Sequence, residues 1–457
     1  MNSDSLLKEN ISKLIFKLSI PMIIAQLINL LYNIIDRIFI GHYDNGDIAI
    51  GGVGACFPII IIVSAFAALF GMGGAPLAAL ALGRKDYEES EKILNNSIKL
   101  LTIVSIILIP LLFIFKEKIL YAFGANSINI GYADSYLTIY SLGTFFVMIS
   151  LGLNQYISAQ GKTLYSMIFV VLGAALNIIL DPIFIYAFNM GVAGAALATI
   201  ISQLASSIAI ILFLCSNKSI IRIKIKKYPS NIEVIKKIVF LGLSPFIMQS
   251  TEALIQICFN NQIKYYISDI NLQTYYLSSM TIIISIMSLL NMPLQGLAQG
   301  TQPIISQNYG ANQTERAKEA SRKLILYCLI YSFAFVLVLY LFPKVFVGLF
   351  NKNEEIIDIT SKLIRIMFVG MAFMGIQIGC QNSFLALGKS KISLFLAVLR
   401  KIVLLIPLMY ILPLIFDSKG IFIAESTADV LAILVTLICY LCLFNKYLNE
   451  RRQEYEK

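Results

Sequence analysis

The sequence predicts an all-α polytopic membrane protein with twelve transmembrane helices. Of its 457 residues, 58% are hydrophobic and only 14% are charged, whereas soluble domains average about 25% charged. Uncharged stretches such as 48–83 and 270–314 exceed the ~20 apolar residues that a helix needs to cross a bilayer. Together these observations exclude a large soluble enzyme and a disordered chain.

Glycine, proline and clusters of charge divide the chain into the individual helices. The number of segments is even, so both termini should lie on the same side of the membrane. The predicted helices span 13–40, 48–81, 95–115, 133–158, 164–188, 191–216, 238–266, 272–308, 322–343, 357–386, 392–416 and 419–446.

The basic residues indicate the orientation of these helices. Most of the 36 Lys and Arg residues lie in the terminal segments and in alternate loops, notably 84–99, 218–237 and 316–323. The positive-inside rule places these loops and both termini in the cytoplasm of a cell-membrane protein. The net charge of +10 is therefore explained by topology, and nucleic acid is not an expected partner. The polar N-terminus predicts no removable signal peptide.

An internal repeat divides the chain into two halves. Three local matches share one offset of 227 residues: 158–163 with 385–390, 81–88 with 308–315, and Gly73/Pro76 with Gly300/Pro303. The repeat predicts two six-helix bundles, 1–217 and 238–457, joined by a basic cytoplasmic linker, 218–237. Because each half has an even number of helices, a pseudo-two-fold axis along the membrane normal should relate them. This organisation favours a transporter with a cavity between the bundles.

Ionisable residues within the first half predict a cation site. Asp181 follows Asn177 by four residues on one helix face, Thr199 on the next helix can add a hydroxyl, and Asp36 follows Tyr32 by one turn. Two carboxylates with neutral oxygens suit a monovalent cation, or a proton held by one carboxylate.

Structural roles are the alternative for both carboxylates. Asp181 could cap or kink a helix end at Pro182, and Asp36 could pair with Arg37. Adjacent helical residues point about 100° apart, which disfavours that pair. We therefore prefer the cation site.

Polar residues of the second half predict a substrate cavity. Glu252 lies between Gln249 and Gln256 in the seventh helix. It could attract a cationic substrate, or be a protonated carboxyl hydrogen-bonded to an amide.

Two further sets of polar residues lie in the later helices. Asn291, Gln295 and Gln299 form a stripe with a spacing of four residues, which is expected to face the cavity or to pack between helices. Arg400 could pair with Glu425 and Asp429 in a buried ion network of structural purpose.

Three segments show a family resemblance. The segments 31–41, 176–182 and 191–199 resemble the multidrug and toxic compound extrusion (MATE) family, specifically its bacterial multidrug efflux branch, and the similarity runs over nearly the whole chain. The resemblance implies two six-helix bundles, alternating access and a cation site in the first bundle. That site carries over onto Tyr32, Asp36, Asn177, Asp181 and Thr199.

The second bundle departs from the family pattern. One branch of the family pairs the acidic residue of the seventh helix with a carboxylate in the tenth. Here the tenth helix instead has Gln377 and Gln381, so a complete ion site in this bundle is not predicted. We assign Gln377 to the substrate cavity.

The predicted function is antiport. The resemblance implies export of small amphipathic, often cationic drugs in exchange for inward Na⁺ or H⁺, by a monomer surrounded by membrane lipids. The residues do not distinguish the two ions, and no cofactor is expected. A flippase for lipid-linked precursors is the alternative, although the helices contain few Arg or Lys residues for phosphate heads. His42 is the single histidine, and no enzyme motif is present.

Overall fold

The structure, a computed structural model, describes residues 3–43 and 46–456. Over these residues, twelve helices are long and apolar enough to cross a membrane. We label them α1 to α12 in chain order. Their bounds are Ile11–Gly41, Ile48–Gly83, Tyr87–Ala122, Ile130–Ala159, Thr163–Ala187, Val192–Cys215, Ile232–Tyr266, Ile270–Gly310, Thr314–Leu341, Glu354–Ala386, Ser390–Ile411 and Pro413–Gln453.

The predicted number and order of the helices are confirmed, but several ends are wrong. Helix α3 begins at Tyr87 rather than at 95, because Asp86 caps it by accepting from the backbone N–H of Glu89. Acidic residues in the first turn favour a helix start, whereas the sequence analysis places these charges in a loop. Helix α10 is divided near Ala372, and π-helical turns occupy 183–187 and 399–405.

The predicted repeat reappears in the backbone conformation of the turns. Lys85 and Asn312 have φ of 61° and 60°, and Gly161 and Gly388 have φ of 75° and 71°. Both pairs have the predicted offset. Positive φ is rare in residues other than glycine, so its recurrence at matched positions supports the two-fold relation between the halves.

Each half has its own hydrophobic core, although the start of the first half packs in the core of the second half. One core extends from Ile40 to Ile238. The other is built from the second half together with Leu6, Leu14 and Leu18. Helix α1 therefore begins against the second half and ends against the first. We call α1–α6 the N bundle and α7–α12 the C bundle.

The bundles meet at one end of the molecule, which we call the basic end. The terminal segments lie there: the Arg316 guanidinium donates to the carbonyl oxygen of Glu9 at 2.6 Å. Gln307 of α8 donates to the Ala159 carbonyl oxygen of α4 at 2.9 Å. The segment 218–237 lies along the N bundle, where Lys224 pairs with Glu91 at 2.8 Å.

Close backbone contact closes this end. A Cβ at Gly296 of α8 would lie 2.6 Å from Ile23 Cα of α1, and a Cβ at Gly73 would lie 2.8 Å from Gly242 Cα. Such spacing requires glycine because any side chain would separate the helices. We call the α1–α8 and α2–α7 contacts the glycine seam.

Candidate functional site

Helix α1 positions Asp36 inside the N bundle. Asn10 starts this helix by accepting from the N–H groups of Ser12 and Lys13, and its later half packs on α5. The Asp36 side chain is buried, whereas the adjacent Arg37 is exposed. The Arg37 guanidinium lies 4.1 Å from the Phe57 ring centroid. The side chains of Asp36 and Arg37 therefore lie in different surroundings. This arrangement disfavours an ion pair between them, which was the alternative to the cation site.

Asp181 and its neighbours form the other side of the same cluster. Asp181 is fully buried at the end of α5. The Asn177 amide donates to Asp181 Oδ1 at 3.2 Å and lies 3.4 Å from the hydroxyl of Thr199 on α6. The predicted pair of Asn177 and Asp181 thus lies beside Thr199 of the next helix, as the sequence predicts.

The cluster contains buried oxygens without hydrogen-bond partners. These are Asp36 Oδ1, Asn177 Oδ1 and Asp181 Oδ2. The two carboxylates are close enough for a direct electrostatic interaction, and Tyr32 interacts with both. Buried polar groups are normally paired, so three unpaired acceptors together are typical of a site that takes a cation. Carboxylate, amide and hydroxyl oxygens are the ligands that hard cations prefer.

Two tyrosines of α4, which the sequence did not predict as site residues, also belong to the cluster. Tyr136 and Tyr140 are buried, and their rings stack with centroids 6.1 Å apart. Tyr136 lies near Asp36, and Tyr140 lies near Tyr32. Their i, i+4 spacing places them on one helix face. This spacing is the sequence feature from which the two tyrosines could have been predicted to lie together. Aromatic residues are so common in membrane helices that the signal is weak.

A central cavity of about 480 Å³ separates the bundles at the end opposite the basic end. Its walls come from α1, α2, α7 and α8, and they include Arg37, Phe57, Gln256 and Asn260. Mostly apolar walls with a few polar groups are typical of a site for small molecules. Gln256 therefore lies where the sequence predicted it.

A second cavity of about 260 Å³ is lined by amide side chains from both bundles, namely Gln26, Gln249, Gln295, Gln299, Gln381 and Asn382. Gln26 donates to Gln299 Oε1 at 3.2 Å and so connects α1 to α8. We call this second cavity the amide cavity. The predicted stripe thus faces a cavity through Gln295 and Gln299.

Three predicted cavity residues, Glu252, Asn291 and Gln377, line neither of these two cavities. Asn291 is half-buried and lines neither cavity. Gln377 is only 2% exposed and also lines neither, so its assignment to the substrate cavity stays a prediction. It lies one turn nearer the break in α10, inside the bundle, and Gln381 takes the place expected for it.

Glu252 has a partner that the sequence did not reveal. It forms an ion pair with Lys401 of α11. The Lys401 side chain is 4% exposed and that of Glu252 is 59% exposed. The alternative of a neutral carboxyl held by an amide is therefore wrong. The two residues are so far apart in sequence that spacing could not have paired them.

The predicted ion network in the C bundle is confirmed. Arg400 Nε lies 2.7 Å from Asp429 Oδ1, and its guanidinium lies 3.8 Å from Glu425 Oε1. All three side chains are nearly buried. Arg400 and Lys401 occupy the π-helical turn of α11. The buried carboxylates of the C bundle thus share a guanidinium, although Asp429 Oδ2 has no hydrogen-bond partner, whereas Asp181 in the N bundle has only the neutral amide of Asn177.

Comparison with known proteins agrees with this architecture. The family model described as MatE matches residues 21–183 and 251–411. The multidrug export protein MepA of Staphylococcus aureus is 26% identical over 94% of each chain. A solved structure of the MATE multidrug transporter DinF-BH with a bound ligand is 32% identical, with a TM-score of 0.86 and coverage of 94% of this chain and 95% of that one. A structure of MATE in complex with MaL6 has a TM-score of 0.90 at 23% identity and covers 99% of this chain and 100% of that one. The chain belongs to the bacterial branch of the MATE family of membrane transporters.

Proposed function

We propose that this protein exports small amphipathic, often cationic compounds in exchange for Na⁺ or H⁺ moving into the cell. The observation that carries the proposal is the cluster of unpaired oxygens on Asp36, Asn177 and Asp181. The names of two relatives, a multidrug export protein and a multidrug transporter, support the substrate class. The central cavity supplies a space of suitable size.

The coupling ion would act through charge. Two interacting carboxylates in a low-dielectric site repel each other, so a bound cation or proton lowers the energy of bringing them together. Because Asp36 lies on α1 and Asp181 on α5, a cation or proton bound between them changes how strongly these two helices attract each other. Helix α1 also contacts the C bundle through its first half. Movement of α1 therefore connects the ion site to the glycine seam.

The difference between the two ends of the interface supports alternating access. The positive-inside rule assigns the basic end to the cytoplasm, and the seam closes that end. The central cavity is then open toward the outside, where substrate leaves and the ion enters. Separation of the bundles at the seam would give the opposite state.

The driving force depends on the charge that is exchanged. One monovalent cation entering across 100 mV supplies about 2.3 kcal/mol. If one monovalent cationic substrate leaves for each entering cation, the exchange is electroneutral and the potential contributes nothing. The ion concentration gradient then supplies about 1.4 kcal/mol for each tenfold difference.

The test is dye efflux in everted vesicles, with Na⁺ and pH gradients imposed separately. We expect Asp36→Asn and Asp181→Asn to abolish gradient-driven transport while the protein stays folded in the membrane. Asp358→Asn removes a carboxylate that is paired with Lys362 at 2.7 Å on an exposed surface, and it serves as the matched control. Wild-type rates in Asp36→Asn would overturn the proposal.

The flippase alternative is not favoured. Among the described residues that line the central cavity, Arg37 is the only charged one. The head of a lipid-linked precursor carries phosphate groups, which require several cationic partners. Transport of dyes without transport of lipid analogues in the same vesicles would separate the two functions.

A further inference from the structure

A third cavity, of about 240 Å³, lies between the bundles at the basic end. The N bundle lines it with Arg84 and Glu89, and the C bundle with Lys237, Lys389 and Arg451. Apolar side chains, among them Leu80 and Val234, complete its walls. We call it the interbundle cavity.

Positive charge is in excess there. Four cationic side chains face the cavity with one carboxylate, and Glu89 also lies 3.7 Å from Lys92 outside the cavity. Lys389 reaches Glu450 only at 3.9 Å, and its ammonium lies 4.2 Å from the Tyr447 ring centroid. A concave site with low-dielectric walls focuses such a field and attracts anions.

The geometry points to a ligand with a phosphate group attached to an apolar part. Guanidinium groups bind phosphate through two parallel hydrogen bonds. Arg84 supplies such a group from the N bundle, whereas the Arg451 guanidinium across the cavity already donates to the Gly310 carbonyl oxygen at 3.2 Å and adds its positive charge. The leucine and valine side chains provide a surface for an alkyl or aromatic portion. An anionic lipid headgroup and a soluble organic phosphate share this chemistry.

We propose that such an anion binds in the interbundle cavity and holds the basic end closed. The regulatory part of this inference rests on the proposed alternating access, whereas the binding part does not. The start of α7, which carries Lys237, packs on the N-bundle core through Val234 and Ile238. When the bundles separate, Lys237 therefore stays with Arg84, and Lys389 and Arg451 move away from both. The four charges therefore converge only in the closed state, where they repel one another. A ligand that binds this state alone shifts the equilibrium by its differential affinity.

The binding test uses the purified full-length protein and two probes. Inorganic pyrophosphate is titrated at constant ionic strength in detergent. Separately, nanodiscs of phosphatidylcholine are compared with nanodiscs that also contain phosphatidylglycerol. The lining variant is Arg84→Gln with Lys237→Gln. The matched control is Lys85→Gln with Lys236→Gln, which removes the same charge from exposed neighbours that do not line the cavity.

We expect at least one probe to raise the Tm of the wild type and of the control by roughly 2–4 °C, and to leave the lining variant unchanged. A response to pyrophosphate in detergent assigns a soluble phosphate. A response to phosphatidylglycerol alone assigns the lipid. No response to either probe, or equal responses of the two variants, would overturn the binding site.

Hydrogen exchange tests the closure. The probe that raises the Tm should increase amide protection in 69–83 and 296–310, and it should slow dye efflux by the wild type and the control variant. Binding without added protection would overturn the regulatory part. Failure of gradient-driven transport in the absence of any probe would instead count against the proposed antiport, so the two failures are distinguishable.

Discussion

Gly296 allows a direct test of the glycine seam. An alanine Cβ at this position would lie 2.6 Å from Ile23 Cα and 2.7 Å from Ile23 N. Both neighbours are backbone atoms, so a change of side-chain rotamer cannot relieve the contact. Carbon atoms prefer a separation of about 3.5–4.0 Å. Helices α1 and α8 must therefore move apart by about 0.9 Å or more at this point.

The size of the effect follows from the cost of overpacking. Extra methyl groups in a close-packed interior cost about 1–3 kcal/mol. The penalty applies only while the basic end is closed, because separated bundles leave space for the methyl group. We therefore expect Gly296→Ala to shift the ratio of closed to open molecules roughly 5- to 150-fold toward the open state. Alanine also favours a helix over glycine by about 1 kcal/mol, which alone would increase backbone protection.

Hydrogen exchange measured by mass spectrometry distinguishes these two effects by sign. Gly296→Ala should reduce protection in 13–24 and 294–305 if the seam opens, and increase it if helix propensity dominates. The control is Gly54→Ala, because an added Cβ at Gly54 would meet no atom within 4 Å. Unchanged or increased protection in Gly296→Ala, or equal loss in the control, would refute our reasoning about the seam.

Three other variants test the remaining contacts. Arg400→Gln should lower the free energy of unfolding by about 3–5 kcal/mol, because it leaves the two buried carboxylates of its network without their cation; thermal melts in detergent measure this, and an unchanged Tm would contradict it. Lys401→Met should free Glu252 and tighten binding of cationic dyes relative to neutral ones, measured by fluorescence titration. Gln160→Ala removes the acceptor of the backbone N–H of Ile220 at 2.7 Å, so limited proteolysis should cleave 216–230 faster.

Sequence patterns predicted most of the fold. Apolar length gave the number of helices because each must satisfy its backbone hydrogen bonds within the bilayer. Helix ends were less predictable, as α3 shows, because a charged first turn resembles a loop in composition. No feature of the sequence predicted that the first turns of α1 pack in the core of the C bundle, because Leu14 and Leu18 would suit the core of either bundle.

Contacts in the candidate sites were predictable when the residues lie close together in the sequence, and were not when the residues lie far apart. Asn177 and Asp181 are four residues apart, and helical geometry alone predicts that they share a face. The pair of Glu252 with Lys401 joins two helices distant in sequence, so only tertiary structure shows it. Gln377 is buried inside the bundle, and the sequence alone does not distinguish a polar residue of the bundle interior from one that faces a cavity.

The differences between the bundles indicate which one responds to the ion. Counted from the matched turns at Gly161 and Gly388, Asn177 and Asp181 correspond to Leu404 and Leu408. The C bundle therefore lacks these two acceptors, and its own buried carboxylates, Glu425 and Asp429, share the single positive charge of Arg400. A satisfied ion pair keeps one arrangement, whereas unpaired carboxylates change their interaction whenever a cation arrives. We therefore expect ion binding to alter packing in the N bundle while the C bundle moves as a rigid body.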